Sequence, residues 1–517
     1  MQPSFARQRA AVWSWRVVAP VVFGVSPVLH AAIPAAESQA LVDLYNATGG
    51  TAWTNVTNWI TAVGAECTWF GVTCDAGGTH VIALQLNYNH LVGPLPALGA
   101  LSQLETLDLS RNAVSGASAA LAGLGELRTA RLADIADTGT LPALGGFSHL
   151  ATFQAANSGY TGPLPDFSGL QELQTLDVSF NALEGAPPAL SNLPQLQLLR
   201  INHNALSGPL PSFPGIAGLE RLFLDDNQFT GPVPDYTVHA TLVDLSYAGN
   251  PVNAPLPDLS GLAQLETFSA ERTGATGSIP AMTLPQLSSF TVAENQLTGN
   301  LPPFGAAFHP YRFDVSQNQL GGSMPAWSAL PGGAYIDVAH NAFGGSLPAF
   351  PNGGFTRLDA SHNQFSGPIP AWSGSAWHYI DLSSNQLNGA VPSIATLDNV
   401  DSLFLSHNQL TGPAPDVAGH VNLYYYEIED NQFTGTMPSP AGTPLRWMKV
   451  AYNQLSGPIP DVAPDWDGLS SVCPNNIDPH STGATQMTWN FATGSWPLRP
   501  WYDTCDGGDY IFVEAFE

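Results

Sequence analysis

The sequence predicts a curved solenoid of about 17 stacked repeats, α/β in class, built mostly from short parallel strands with an extended or 3₁₀ convex side and a disulfide-held cap at each end. Three observations predict it. One register recurs every 22 or 23 residues, strand-period alternation precedes each register position, and the four cysteines sit in pairs at the two ends.

Residues 1–36 read as a secretory signal peptide. Arg7, Arg9 and Arg16 stand without any acid, an apolar stretch runs from Val17 to Val28, and Ala31, Ala32, Ala35 and Ala36 supply small residues for cleavage between 31 and 36. Pro20, Pro27 and Pro34 interrupt the apolar run and argue against a spanning anchor. No later segment is apolar for long enough to cross a bilayer, so the expectation is a mature chain without a membrane span.

Residues 37–80 read as an N-terminal cap. Glu37 to Thr48 forms a short amphipathic helix with Leu41, Leu44 and Tyr45 on one side, and Gly49-Gly50 stops it. Trp53, Trp59 and the run Cys67-Thr-Trp69-Phe-Gly71-Val-Thr-Cys74 follow.

Residues 81–460 carry the repeats. A polar position is followed four residues later by Gly and seven later by Pro, and it falls at Asn89, Asn112, Ile135, Ser158, Asn181, Asn204, Asn227, Asn250, Thr273, Asn295, Asn318, Asn341, Asn363, Asn385, Asn408, Asn431 and Asn453. Asn fills 14 of these 17 places, which asks for a mechanical role. Its amide, with two donors and an acceptor, can satisfy backbone groups where the chain turns out of a strand. Upstream, patterns such as Leu104-x-x-Leu107-x-Leu109 alternate with the strand period, so each repeat offers one strand with an apolar face. A lone strand cannot bury that face, and successive repeats must stack. Downstream, Gly93 to Pro96, Gly162 to Pro165 and Gly367 to Pro370 give a permissive turn and then a fixed φ, which favours an extended convex side over long helices.

Residues 461–517 leave the register and read as the opposite cap and tail. They hold Cys473 and Cys505, as the first cap holds Cys67 and Cys74. An exported chain with an even cysteine count points to disulfides within each pair; zinc, the alternative, finds no Cys-x-x-Cys and no supporting His cluster.

The period and pattern resemble the plant-type subclass of leucine-rich repeats, and Leu403 to Pro415 shows most of its consensus, with Ala414 at the penultimate place. The run Cys67 to Cys74 resembles the N-terminal cap of plant receptor ectodomains and their bacterial counterparts. The resemblance implies a horseshoe or superhelix that binds a ligand. The repeat is one or two residues shorter than the usual plant length, and no kinase domain follows. The ending Asp509 to Glu517 is similar to acidic-aromatic endings of exported proteins of Gram-negative bacteria, which points to a bacterial source.

Charge narrows the partners. The formal net charge is -27 and Lys449 is the only lysine, so no basic stripe exists to neutralise nucleic acid or meet anionic lipid. No nucleophile elbow, His-Glu-x-x-His helix, phosphate loop or dinucleotide fingerprint occurs, and an open sheet gives carboxylates no shelter for acid–base work. The expectation is a protein that is not an enzyme, with no cofactor and no metal.

Outward positions on the concave sheet lie two, four and six residues before the Asn position. Four before it stands an acidic run, Asp314, Asp337, Asp359 and Asp381, with Asp108 and Asp177 further back. Such aspartates either hydrate the sheet and bond nearby hydroxyls, or form a ribbon for a basic peptide or a cation. Six before it, plain Thr106, Thr129, Thr152 and Thr175 give way to Arg312, Tyr335, Arg357, Tyr379, Ser402, Tyr425 and Trp447. Arg and aromatic residues there either satisfy one another or build a binding hot spot. One before it stand His203, His340, His362 and His407, read as solvated edge residues rather than metal ligands. The sequence therefore predicts a secreted or cell-surface protein that recognises a protein or peptide along Arg312 to Trp447; the alternative is a glycan-binding or adhesive protein using Tyr335, Tyr379, Tyr425 and Trp447 as stacking platforms.

Overall fold

A computed structural model describes residues 32–478, apart from 63, 168, 191–192, 282–283, 304–307, 309, 327–332, 350–354, 373–375 and 465–469, together with Trp489 and Thr493. Most of the 1–36 stretch, Cys505 and the 509–517 ending lie outside the described residues.

The alternating strands stack as their apolar faces require. Val72–Cys74 pairs antiparallel with Val81–Gln85 at the edge of an 18-stranded sheet, whose other 17 strands, Val81–Gln85 to Trp447–Lys449, run parallel, one per repeat. Register is constant: Thr106 pairs with Thr129, Thr129 with Thr152, and Thr152 with Thr175. Inward residues such as Leu104, Leu107 and Leu109 are fully buried, and Phe268, Phe290 and Phe313 stack at 5.7 and 5.8 Å along the axis.

The asparagines join neighbouring repeats. Asn318 Nδ2 donates to the Val292 carbonyl of the preceding repeat at 3.0 Å and to Val315 and Ser316 of its own, while its Oδ1 accepts from Leu297 N at 3.0 Å. Replacements do less: Ser158 Oγ donates to Leu132 and accepts from Ile135 N, and Thr273 leans on Asn295. The residue before each Asn turns left-handed, as in Phe180, His203, Gln317 and His340, with φ of 55, 52, 53 and 53°.

The convex side is largely extended, with short second strands, and among the described residues of the repeats helical turns occur only at Ala117–Ala120 and Tyr236–Val238. These form a pair (Val92–Pro94 with Ala113–Ser115), a four-stranded sheet from Thr161–Gly162 to Gln228–Thr230, and a 10-stranded sheet from Thr276–Gly277 to Asn476–Asp478. Breaks fall at the Ile135 repeat, where the Asp137 side chain takes the Ala117 N–H, and at the Asn250 repeat, where Pro251 has no N–H to give.

The N-terminal helix is Ala35–Ala47, closed by Gly49 at φ 71°. Leu41 and Leu44 are buried, and a cluster of Tyr45, Trp53, Trp59 and Trp69 rings covers the end of the core with centroids 4.8–5.9 Å apart. Buried Glu37 clasps the cap to the sheet, accepting from Val81 N at 2.8 Å and meeting His80 Nδ1 at 2.6 Å. The Cys67–Cys74 disulfide is formed. At the other end the stack runs one rung past Pro460: Asn475 donates to Val450 and Val472 and accepts from Leu455 N. Cys473 is disulfide-bonded, whereas its expected pairing with Cys505 falls outside the described residues.

Candidate functional site

Strand register brings the predicted ribbon together. Arg312, Tyr335, Arg357, Tyr379, Ser402, Tyr425 and Trp447 are consecutive cross-strand partners, each beside an inward neighbour such as Phe313 or Ile336 that fixes its outward direction. Tyr335 lies between two guanidinium groups, 5.1 Å from Arg312 and 5.3 Å from Arg357, and Arg357 covers Tyr379 at 3.7 Å. Buried Ser402, bonded to Asp401 at 2.6 Å, divides the ribbon. Beyond it Tyr425 and Trp447 meet at 4.8 Å with a 54° tilt, and Lys449 lies 5.3 Å over Trp447 while pairing with Glu427 at 3.0 Å.

The aspartate column is not the open ribbon that an outward position implies. Asp314, Asp337 and Asp359 are only 7–8% exposed, covered by the long side chains beside them and, at Asp314 and Asp359, by the serines two residues on. Asp314, Asp359 and Asp381 each accept from the backbone N–H and hydroxyl of Ser316, Ser361 and Ser383. Their second oxygens meet Arg312 at 3.4 Å, Arg357 at 3.1 Å and the Tyr379 hydroxyl at 3.3 Å. Earlier in the chain Asp108 and Asp177 make the same bonds to Ser110 and Ser179.

Asp337 departs from this pattern. Residue 339 is Ala, so Asp337 accepts only the Ala339 N–H at 3.1 Å and its other oxygen has no partner among the described residues. Burial, with Asp359 and Asp314 on either side, pushes its carboxyl up to about 7. Burial and Asp359 push Asp381 up to about 6, and burial followed by the Asp381 and Asp359 charges pushes the Tyr379 hydroxyl up. Two groups missing from the sequence reading belong here. Phe404 packs on Tyr379 at 5.5 Å, and Glu427 with Lys449 continues the acidic column as an ion pair. The Asp-x-Ser spacing was the available signal for the first five carboxyl groups, and its loss at Ala339 the signal for the sixth.

The histidine column serves the backbone turn. His340 and His362 stack at 4.2 Å, while His407 and His203 meet Asp430 and Asp226 at 2.9 and 3.2 Å. Among the described residues no group of three His, Cys, Asp or Glu side chains is placed to hold a metal ion. None of the described helices is long and apolar enough to cross a membrane.

No family model matches the chain. Over 44 residues, 8% of the chain, it is 59% identical to the LRR receptor-like serine/threonine-protein kinase FEI 2 of Arabidopsis thaliana, and the match spans 8% of that protein's length. The Arabidopsis receptor kinase HAESA, solved with the peptide hormone IDA and the co-receptor SERK1, is similar at a TM-score of 0.66 and 25% identity, covering 85% of this chain and 86% of that one. The PEPR1–AtPEP1 structure gives 0.62 and 22%, over 82% and 73% of the two chains. The plant peptide hormone receptor RGFR1 with RGF2 gives 0.59 and 23%, over 76% and 77%.

Proposed function

We propose that this leucine-rich-repeat solenoid of plant-receptor type is an exported, non-catalytic binding protein that receives a protein or peptide on its concave face between Arg312 and Trp447. The observation that carries the reading is Asp337. It is a buried carboxyl with one unclaimed oxygen, set between Tyr335 and the Arg357–Asp359 pair, in a column whose other carboxyl groups are satisfied. An oxygen without a protein donor is open to a donor from a ligand. With a net charge of -27 around it, the favoured donor is the basic group of a peptide. HAESA, the neighbour at 25% identity, is solved with a peptide hormone, which supports the same ligand class here. Sugar stacking fits less well, since Arg357 covers a face of Tyr379 and Tyr425 and Trp447 are tilted rather than coplanar.

Panning a random peptide library on the folded protein tests the reading. Selected peptides should be enriched in Lys and Arg, weaken as salt rises, and lose about 1–2 kcal/mol of affinity on Tyr379→Ala or Trp447→Ala. Peptides that bind both variants as they bind the wild type, or a protein that takes only glycans on an array, would overturn it.

A further inference from the structure

A cavity of about 560 Å³ opens on the earlier repeats, across the strands Thr152–Gln154 to Arg221–Phe223, in the size range of ligand sites. It exists because small Ala156 and Ser179 fill the column two before the Asn position while Phe180 and Phe223 stand on either side. Three features of it are unexplained by the fold.

Phe180 is the first. Its column is otherwise polar through this region (Asp134, Asn157, His203, Asp226), yet here a phenyl ring is 52% exposed, held upright by stacking on His203 at 4.1 Å. The second is Asn202, whose Oδ1 is buried and has no hydrogen-bond partner among the described residues. Third, the cation that lines the cavity is already engaged, Arg200 meeting Asp177 at 3.6 Å and lying over Phe223 at 5.1 Å, while Asp134 at the rim accepts from Asn157 Nδ2 at 2.7 Å and lies 3.7 Å from Arg111.

From these features we infer that the cavity is a binding site for one arginine side chain of a protein or peptide partner. A planar group is needed to lie against Phe180, a donor to reach Asn202 Oδ1, and a positive charge to suit a protein with a net charge of -27. Guanidinium meets all three; a lysine ammonium is not planar, and tyrosine and tryptophan side chains are uncharged. This site stands on its own residues and does not rest on the reading of the Asp337 region.

The test titrates the folded full chain with Nα-acetyl-arginine amide, followed by calorimetry or NMR, with the lysine and tyrosine analogues as competitors. Arginine amide should bind about five-fold or more tightly than either competitor, and Phe180→Ala should weaken it by a similar factor. Asn202→Leu should weaken binding, whereas Asn202→Asp, which adds charge beside the guanidinium, should strengthen it. Tyr379→Ala should leave it unchanged. Equal binding of the lysine analogue, indifference to Phe180→Ala and both Asn202 variants, or loss on Tyr379→Ala instead would each overturn the assignment. Circular dichroism of each variant confirms that the solenoid is intact.

Discussion

Replacing Asp337 with Asn isolates the one aspartate of the column 314, 337, 359 and 381 that lacks its serine. Asn is nearly isosteric, keeps an oxygen for the Ala339 N–H and carries no charge. In the unfolded chain this carboxyl titrates at about 3.9. Folded, it is pushed up to about 7 by burial and by Asp359 and Asp314, while Arg357 opposes the shift. A raised folded-state value means that the neutral form is favoured in the fold, so stability is lost as pH climbs from about 4 through about 7. Three units at about 1.4 kcal/mol each give a limit of about 4 kcal/mol above pH 7. Asp337→Asn should therefore match the wild type at pH 4 and exceed it by about 2–4 kcal/mol at pH 8. Urea titration at both pH values reads the difference. Hydrogen exchange should localise it to strands Arg312–Asp314 through Tyr379–Asp381, because repeats couple chiefly to their neighbours. A stability change of equal size at pH 4 and pH 8 would mean that the carboxyl is not held neutral by the fold.

Four further outcomes follow from the same geometry. Asn318→Ala strips partners from Val292, Val315, Ser316 and Leu297 and should destabilise by about 1–3 kcal/mol, checked by urea titration; unchanged stability would remove the ladder's role. Gln317→Gly at a φ of 53° should be neutral or stabilising by up to about 1 kcal/mol, whereas Gln317→Val should cost more than that, and thermal melts distinguish the two. Cys67→Ser with Cys74→Ser should loosen the cap by about 2–3 kcal/mol, seen as faster proteolysis ahead of Val81; mass mapping of the wild type should find both thiols oxidised. Thr129→Ala and Thr152→Ala should leave the affinity of library-selected peptides unchanged, while Arg357→Ala should weaken it and also leave Asp359 without its ion pair, so its stability must be measured alongside.

The fold was legible because repetition multiplies a weak local signal: one Leu-x-x-Leu-x-Leu-x-x-Asn segment says little, but iterated copies admit one stacking solution. Contacts between distant, unrepeated residues were not legible. Glu37 reaches Val81 and His80 across 44 and 43 positions, and nothing in the helix pattern marks it as more than an exposed acid. Asn475 was missed because the register was keyed on Gly four and Pro seven residues later, where the sequence has Pro479 and Thr482, although Asn475 makes amide contacts to both neighbouring turns. In the site, column membership was readable from spacing, but depth was not. Strand alternation says that Asp314 and Asp359 point away from the core, and only the packed neighbours show that Arg312, Arg357 and the serines then cover them.

Repetition also decides where function is to be sought. A residue that recurs from turn to turn is explained by what the turns need: Leu by the core, Asn by the ladder, and Ser, where an aspartate stands two residues before it, by that carboxyl group. Binding specificity needs places that differ, so the informative positions are those where one repeat breaks a rule its neighbours keep without any structural gain. Ala339 breaks the Asp-x-Ser rule and leaves Asp337 short of a donor, and Phe180 puts an exposed aromatic ring among polar turn residues beside the orphaned Asn202 oxygen. Pro251 and Ile135 also break rules, but their effects show as gaps in the convex strands, and among the described residues neither position adds an unpartnered buried polar side chain of its own. That separation, between exceptions the fold absorbs and exceptions it leaves without a protein partner, is the argument for the proposed concave face over the convex one.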